Sequence, residues 1–340
     1  MRPLLFLGLL CSGLPLRPPS LPPPESLGAL TDRELNYLLK TLPRDLDPAD
    51  LLSLARAVSP DRWAFDGNLN LLLQSLFDAR QPAAAADFLA RLDRPLPPRS
   101  ATFAVRGLLQ SGLLEPAGRL YLAQDPQTTP APCHLLYLKA LLKAGRLDEC
   151  AALLGRVEAA GAEDPSRSLA ALRLLLLAEA GEERRCADLW ASLRCHVNDM
   201  DAEAIQLLAA ALALSGLWQE ARGFPRLLLA VAFELGLQGT PLSALEPILN
   251  TSPDALSVAL GGLVEGYRRA GREDLIVAIL DVEDPPLLRA KTLNLILAAV
   301  KTQADSARPR TWARAKAVYS RQTAAGAVDE VRYETSLAAV

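Results

Sequence analysis

The sequence predicts an all-α fold, a right-handed solenoid of about eight helical hairpins, and three observations predict it. Half of the residues are hydrophobic, led by Leu and Ala, while aromatics are only 5%; that balance suits helix-on-helix packing and offers little to strands. Glycines recur at intervals of 33, 36 and 35 residues, each followed five places later by a small residue. At 340 residues the chain is long for one globular core, whereas a stacked array needs only contacts between neighbours.

Residues 1–24, MRPLLFLGLLCSGLPLRPPSLPPP, stand outside this pattern. The apolar run from Leu4 to Leu10 is too short to span a bilayer, and the prolines after it exclude a helix. Arg2 and Arg17 stand there with no acid before Glu25. The segment reads as a targeting sequence. Its lack of acids suits a mitochondrial or plastid transit peptide; its apolar run imitates a secretory signal. No later stretch reaches the roughly 18 apolar residues of a membrane helix, because Arg173 and Glu179 break even Ser168 to Ala180.

From residue 25 to 340 the reading is one array of repeats. LTDRELNYLLKTL and PADLLSLARAV, flanking Pro43 to Pro48, form a divergent first pair. LNLLLQSLFDARQPAAAADFLARL follows, with Arg80 and Ala85 at the turn and at the small position. The pattern then sharpens through Gly112 with Ala117, Gly145 with Cys150, Gly181 with Cys186 and Gly216 with Ala221. Its best copies are 131–165, 167–201, 202–224 and 291–330. Residues 225–250 read as an atypical hairpin interrupted by Pro241 and Pro247. Gly271 with Ile276 restores the register, and KTLNLILAAV and TWARAKAVYSRQTAAG make the last pair. VRYETSLAAV at 331–340 reads as a first helix without its partner.

A helix of about 12 residues, a tight turn and a second helix fill such a period. Glycine closes the first helix where a left-handed residue is needed. The small residue five places on lies where the second helix crosses the first, and Ala or Cys there lets the axes approach. Cys150 and Cys186 are therefore packing residues. With Cys11, Cys133 and Cys195 they make five, without C-x-x-C spacing, so neither a disulfide framework nor a zinc site follows. His134 and His196 are the only histidines. No phosphate loop, dinucleotide fingerprint, metalloprotease helix or nucleophile elbow occurs. The acid pairs Asp148-Glu149 and Glu182-Glu183 follow the turns, where they complement the N-terminus of a second helix. The sequence points to a protein without catalysis, cofactor, metal or small-molecule substrate.

Within the array, residues 131–165 resemble a pentatricopeptide repeat through KAGRLDEC at 143–150, Leu153 and Leu154 in the second helix, and Gly161 near its end. A tetratricopeptide repeat would instead want a small residue twelve places before Cys150, where Leu138 stands. KTLNLILAAV is similar to the family's T-Y-N-x-L-I-x-A opening, with Leu293 in place of the tyrosine, and 313–340 follows its run of second helix, glycine, acidic linker and next helix. The resemblance implies a tetratricopeptide-like superhelix binding single-stranded RNA in an organelle, one base per repeat, in RNA processing, stability or translation. Carried over position by position, the first-helix readers would be Asn70, Thr102, Leu135, Ala171, Gln206, Gly261, Asn294 and Glu334, with Asp201 and Asp329 as repeat-end partners. Asn, Thr and Gln can hydrogen-bond a base edge; Leu, Ala and Gly cannot.

Charge weighs on this reading. The net charge is −3, and beyond residue 24 there are 34 basic against 39 acidic residues, where grip on phosphates wants a basic face. Charge can, however, segregate by face. The alternative is a helical scaffold that binds protein, such as a structural component of an organellar ribosome or assembly complex.

Overall fold

A computed structural model describes residues 30–42, 48–58, 63, 66–92, 96–245, 252–281, 288–302 and 308–324. Residues 1–24, read above as a targeting segment, with Pro247, Asp329, Glu334 and the closing VRYETSLAAV, lie outside the described residues. Those residues form sixteen α-helices and no strand, an all-α repeat fold. They fall into two compact units that divide between Glu163 and Asp164.

In the first unit, four hairpins follow one another: α1 (Asp32–Thr41) with α2 (Pro48–Ala57), α3 (Asp66–Asp78) with α4 (Pro82–Arg91), α5 (Pro98–Gln110) with α6 (Leu114–Leu122), and α7 (Ala131–Lys143) with α8 (Leu147–Ala159). The first helices α1, α3, α5 and α7 pack side by side. Proline at the first or second position opens α4, α5 and α7, where its missing N–H costs no hydrogen bond. Thr31 opens α1 through a capping box, with the Glu34 amide donating to its hydroxyl and its own amide donating to the Glu34 carboxylate.

Where the turn inside a hairpin is described, it repeats one geometry. At Gly145 φ is +72°, its amide donates to Leu142 O and the next amide, Arg146, donates back to Leu141 O, both at 3.0 Å. This left-handed cap satisfies two carbonyls at the end of α7 and reverses the chain in two residues. Gly112, Gly181, Gly216 and Gly271 hold φ between 68° and 77°. Arg80 takes the same conformation at φ 55° and keeps the same bonds, to Phe77 O and, from Gln81, to Leu76 O. Five residues on, Ala85, Ala117, Cys150, Cys186 and Ala221 are fully buried. The Cys150 and Cys186 thiols each lie against the carbonyl twelve residues earlier, Leu138 O at 3.3 Å and Leu174 O at 3.9 Å. That carbonyl marks where the two helices of a hairpin cross.

The second unit begins with Asp164, whose carboxylate accepts from the amides of Ser168, Leu169 and Ala170 at the head of α9 (Ser168–Glu179). α10 (Glu183–Leu193) completes that hairpin and runs into a 3-10 turn, Arg194–Asp199. The next repeat departs from the expected pattern. After α11 (Ala202–Leu214) the second helix is reduced to a 3-10 turn, Leu217–Gly223; after α12 (Pro225–Leu237), where the sequence predicts an atypical hairpin, the described residues include a 3-10 turn, Leu242–Leu245. The reason is length: Gly216 and Pro225 bracket eight residues, too few for two turns of α-helix plus a loop. α13 (Pro253–Arg269) pairs with α14 (Glu273–Ala278), and α15 (Ala290–Thr302) with α16 (Arg308–Ala324). Seven hairpins, one truncated hairpin and α12 with its following 3-10 turn thus account for the described residues.

The first helices α12 and α13 approach closely. Gly236 of α12 faces Gly266 of α13, and Gly262 of α13 faces the α12 backbone at Leu229 O: a Cβ added at Gly236 would stand 2.7 Å from Leu263 O and 2.9 Å from the Gly266 Cα, and one at Gly266 would fall onto Phe233 O. Backbone rests on backbone along this seam.

Candidate nucleic-acid interface

Each first helix leaves one stripe uncovered. On α5 it carries Arg99, Thr102, Phe103, Arg106 and Gln110; on the adjacent α7 it carries Pro132, Leu136, Lys139 and Lys143. Neither helix contains an acid. Seven residues separate Arg99 from Arg106, about 10 Å along the axis, and four separate Lys139 from Lys143, about 6 Å; neighbouring axes run about 8–10 Å apart. The four cations therefore occupy a patch about two helices wide.

Ion pairing distinguishes Arg99, Arg106 and Lys143 from the arginines at the turns. Arg146 binds Glu115 at 2.5 Å and Glu149 at 2.6 Å, Arg185 binds Glu182 at 2.5 Å, Arg268 binds Glu265 at 2.6 Å, and Arg272 binds Asp274 at 2.8 Å. Hydrogen bonds from these guanidinium groups hold the carboxyls of Glu149, Glu265 and Asp274 below the usual range. Among the described residues Arg99, Arg106 and Lys143 form no ion pair. Their charge is available to an outside anion.

The carried-over reader positions fare unequally. Gln206 on α11 and Asn294 on α15 are exposed, the latter on a stripe with Lys291 and Lys301. Asn70 on α3 is half-buried, and its Oδ1 is enclosed without a hydrogen bond. Thr102 is half-buried and donates its hydroxyl to Pro98 O at 2.9 Å, a bond within its own helix. Leu135 and Ala171 are buried in the packing, one residue off the uncovered stripes of α7 and α9. Gly261 offers no side chain. Asp201 caps α11, accepting from the Ala204 amide at 2.8 Å, with the Ser168 hydroxyl 3.5 Å away.

Beneath the patch a buried polar cluster fixes the loop between α6 and α7. His134 Nε2 donates to Pro126 O at 3.1 Å, so Nδ1 is unprotonated and accepts from the Tyr121 hydroxyl at 2.5 Å. Tyr121 stacks on Tyr137 at 4.7 Å between centroids. Burial lowers the His134 pKa and raises those of Tyr121 and Cys133. The imidazole is a neutral structural bridge, closed to solvent.

A cleft of about 140 Å³ between α2 and α4, floored by Leu52, Ala55, Ala84 and Phe88 and rimmed by Arg56, Asp87 and Arg91, is smaller than the roughly 300 Å³ a small-molecule site needs. Among the described residues no group of three or more His, Cys, Asp or Glu converges as metal ligands, and no helix is long and apolar enough to cross a membrane.

The acid-free patch was not anticipated from the sequence. Its signal is an absence, two consecutive first helices without Asp or Glu, which a total charge averages away.

Comparison with protein-family models gives no match, and comparison with curated protein sequences gives none. Among solved structures the chain is similar to the pentatricopeptide repeat protein PPR10 from maize, with a TM-score of 0.48 and 19% identity over 88% of this chain. The similar region spans 40% of that protein's length.

Proposed function

We propose that this chain is a non-catalytic RNA-binding helical-repeat protein acting in an organelle, where it supports RNA processing, stability or translation. The observation that carries the reading is the patch of Arg99, Arg106, Lys139 and Lys143 on two adjacent acid-free helices, in a chain whose total charge is −3. Phosphates supply affinity through such cations, and polar side chains that reach base edges supply selectivity. Gln206 and Asn294 are the exposed candidates for the second role. The organellar address rests on the composition of residues 1–24.

Filter binding of single-stranded RNA pools at about 100 mM salt tests this. Reversing Arg106→Glu and Lys143→Glu should flatten the dependence of log K on log salt by at least about 1.4, the equivalent of two single-strand phosphate contacts. Gln206→Ala with Asn294→Ala should change which sequences are retained and leave the salt slope alone. Wild-type protein that retains no RNA sinks the reading.

One observation favours a second reading, a scaffold that binds protein. Leu229 and Leu237 on α12 are 40% and 37% exposed, with half-buried Phe233 between them at helical spacing, and an apolar stripe of this kind suits a protein partner. Loss of a co-purifying partner in Leu229→Glu, Leu237→Glu, with RNA binding absent in the wild type, would support it.

A further inference from the structure

Residues 289–324 hold eight basic residues and one acid, Asp305. This stretch carries +7, so the other 304 residues carry −10. It contains the hairpin α15–α16, whose helices hold no acid at all. The hairpin is fastened from behind: Ala315, Val318 and Gln322 of α16 are buried, and Gln322 accepts from the Leu288 amide at 2.9 Å. Beside α15, the Glu265 carboxylate is held by Arg268 and Lys291, and Glu273 accepts from the Thr302 hydroxyl.

At 100° per residue, Arg310, Arg314 and Arg321 fall within about 40° of one another on α16, along about 16 Å of axis. All three are exposed. The remaining exposed residues of this side are Ala313, Ala317, Ser320 and Ala324, which offer no apolar anchor. A protein partner needs such anchors, since interface cores are depleted in charge and built on aromatic and aliphatic side chains. A phosphodiester backbone needs none, because charge neutralisation and counterion release hold it, and guanidinium groups match phosphate oxygens in pairs.

We propose that the arginine stripe of α16 is a second, sequence-independent grip on the RNA backbone, separate from the reader positions and from the α5–α7 patch. This rests on the RNA-binding reading. The full chain is titrated with labelled oligo(U) across a salt series, in the wild type and in Arg310→Gln, Arg314→Gln, Arg321→Gln. The glutamine variant should lower the salt slope by about 2, three contacts at about 0.7 each, with the ranking of RNA sequences unchanged; the corresponding lysine variant should restore most of the slope. A photo-cross-linking amino acid in place of Ala317, which sits on the stripe between Arg314 and Arg321, should capture oligo(U), and this reports the contact even if the glutamine variant folds poorly. An unchanged slope with no cross-link overturns the grip while leaving the RNA reading standing. Oligo(U) that fails to bind the wild type overturns both, and poly-glutamate held as tightly as oligo(U) assigns the stripe to an acidic protein.

Discussion

Replacing glycine by alanine at three sites should give three different outcomes, because each glycine is present for a different physical reason. Gly266 lies in the seam where an added methyl meets Phe233 O, with the Gly236 Cα 2.8 Å away. Both obstacles are backbone, so relief requires α12 and α13 to separate, and overpacking of this kind costs about 3 kcal/mol. Spread over a unit of this size, that lowers Tm by about 6–12 °C. Gly271, five residues on, has open space around its missing Cβ but φ at +68°. Its penalty is the left-handed conformation alone, about 1–2 kcal/mol, partly offset by a stiffer unfolded chain. Gly155 on α8 has neither constraint, and alanine there should stabilise by about 0.8–1 kcal/mol through helix propensity. Thermal and urea unfolding followed by helical circular dichroism gives the order directly. A Gly266→Ala protein melting within 1–2 °C of wild type, a margin set by ~0.5 kcal/mol in a domain of this size, would refute the backbone contact between α12 and α13.

Arg80→Gly should raise stability by about 0.5–1 kcal/mol, since Arg80 holds φ 55° at a turn that other repeats close with glycine; denaturant midpoints check it. His134 is neutral and its folded pKa lies below the ordinary value near 6.5. Its contribution is therefore complete above that value and is lost as pH falls through the folded pKa. Wild type should lose stability between pH 7 and 5 more steeply than His134→Asn, and parallel curves would contradict the neutral bridge. Burial pushes the Cys150 thiol up to about 11 and raises those of Cys133 and Cys186, while Cys195 is exposed. Brief alkylation of native protein, mapped by mass spectrometry, should label Cys195 and spare these three; labelling of Cys150 before unfolding would count against its position at the helix crossing.

The turns were legible because glycine at a fixed interval has one cheap explanation, a left-handed residue, and the small residue five places on has another, a helix crossing. Arg80 shows how far that logic extends: a residue of the wrong type was placed correctly by its neighbours. The truncated hairpin was less legible. Alanine and leucine around Gly216 looked like the other repeats, and only the distance to Pro225 shows that a second helix does not fit. The glycines of LGGLVEG were available to inspection, but nothing local distinguishes a glycine that admits a neighbouring backbone from one that merely weakens a helix; that depends on Gly236, about 30 residues away in sequence. Reader positions suffered from a related limit. A shift of one residue rotates a side chain by 100° about a helix, enough to move Leu135 and Ala171 from the uncovered stripe into the packing.

The glycine seam bears on the order in which the molecule comes apart. In a repeat protein each element is held by its neighbours, so unfolding proceeds from the weakest junction toward the strongest. At their glycines α12 and α13 meet backbone on backbone, without the flexible side chains that elsewhere let helices slide by small repacking steps, and their junction behaves as a hinge pin that is either seated or lost. Amide protons along α12 and α13 should accordingly exchange last in the second unit, with both helices opening in one event, while the hairpins on either side breathe around a core set by three missing methyl groups.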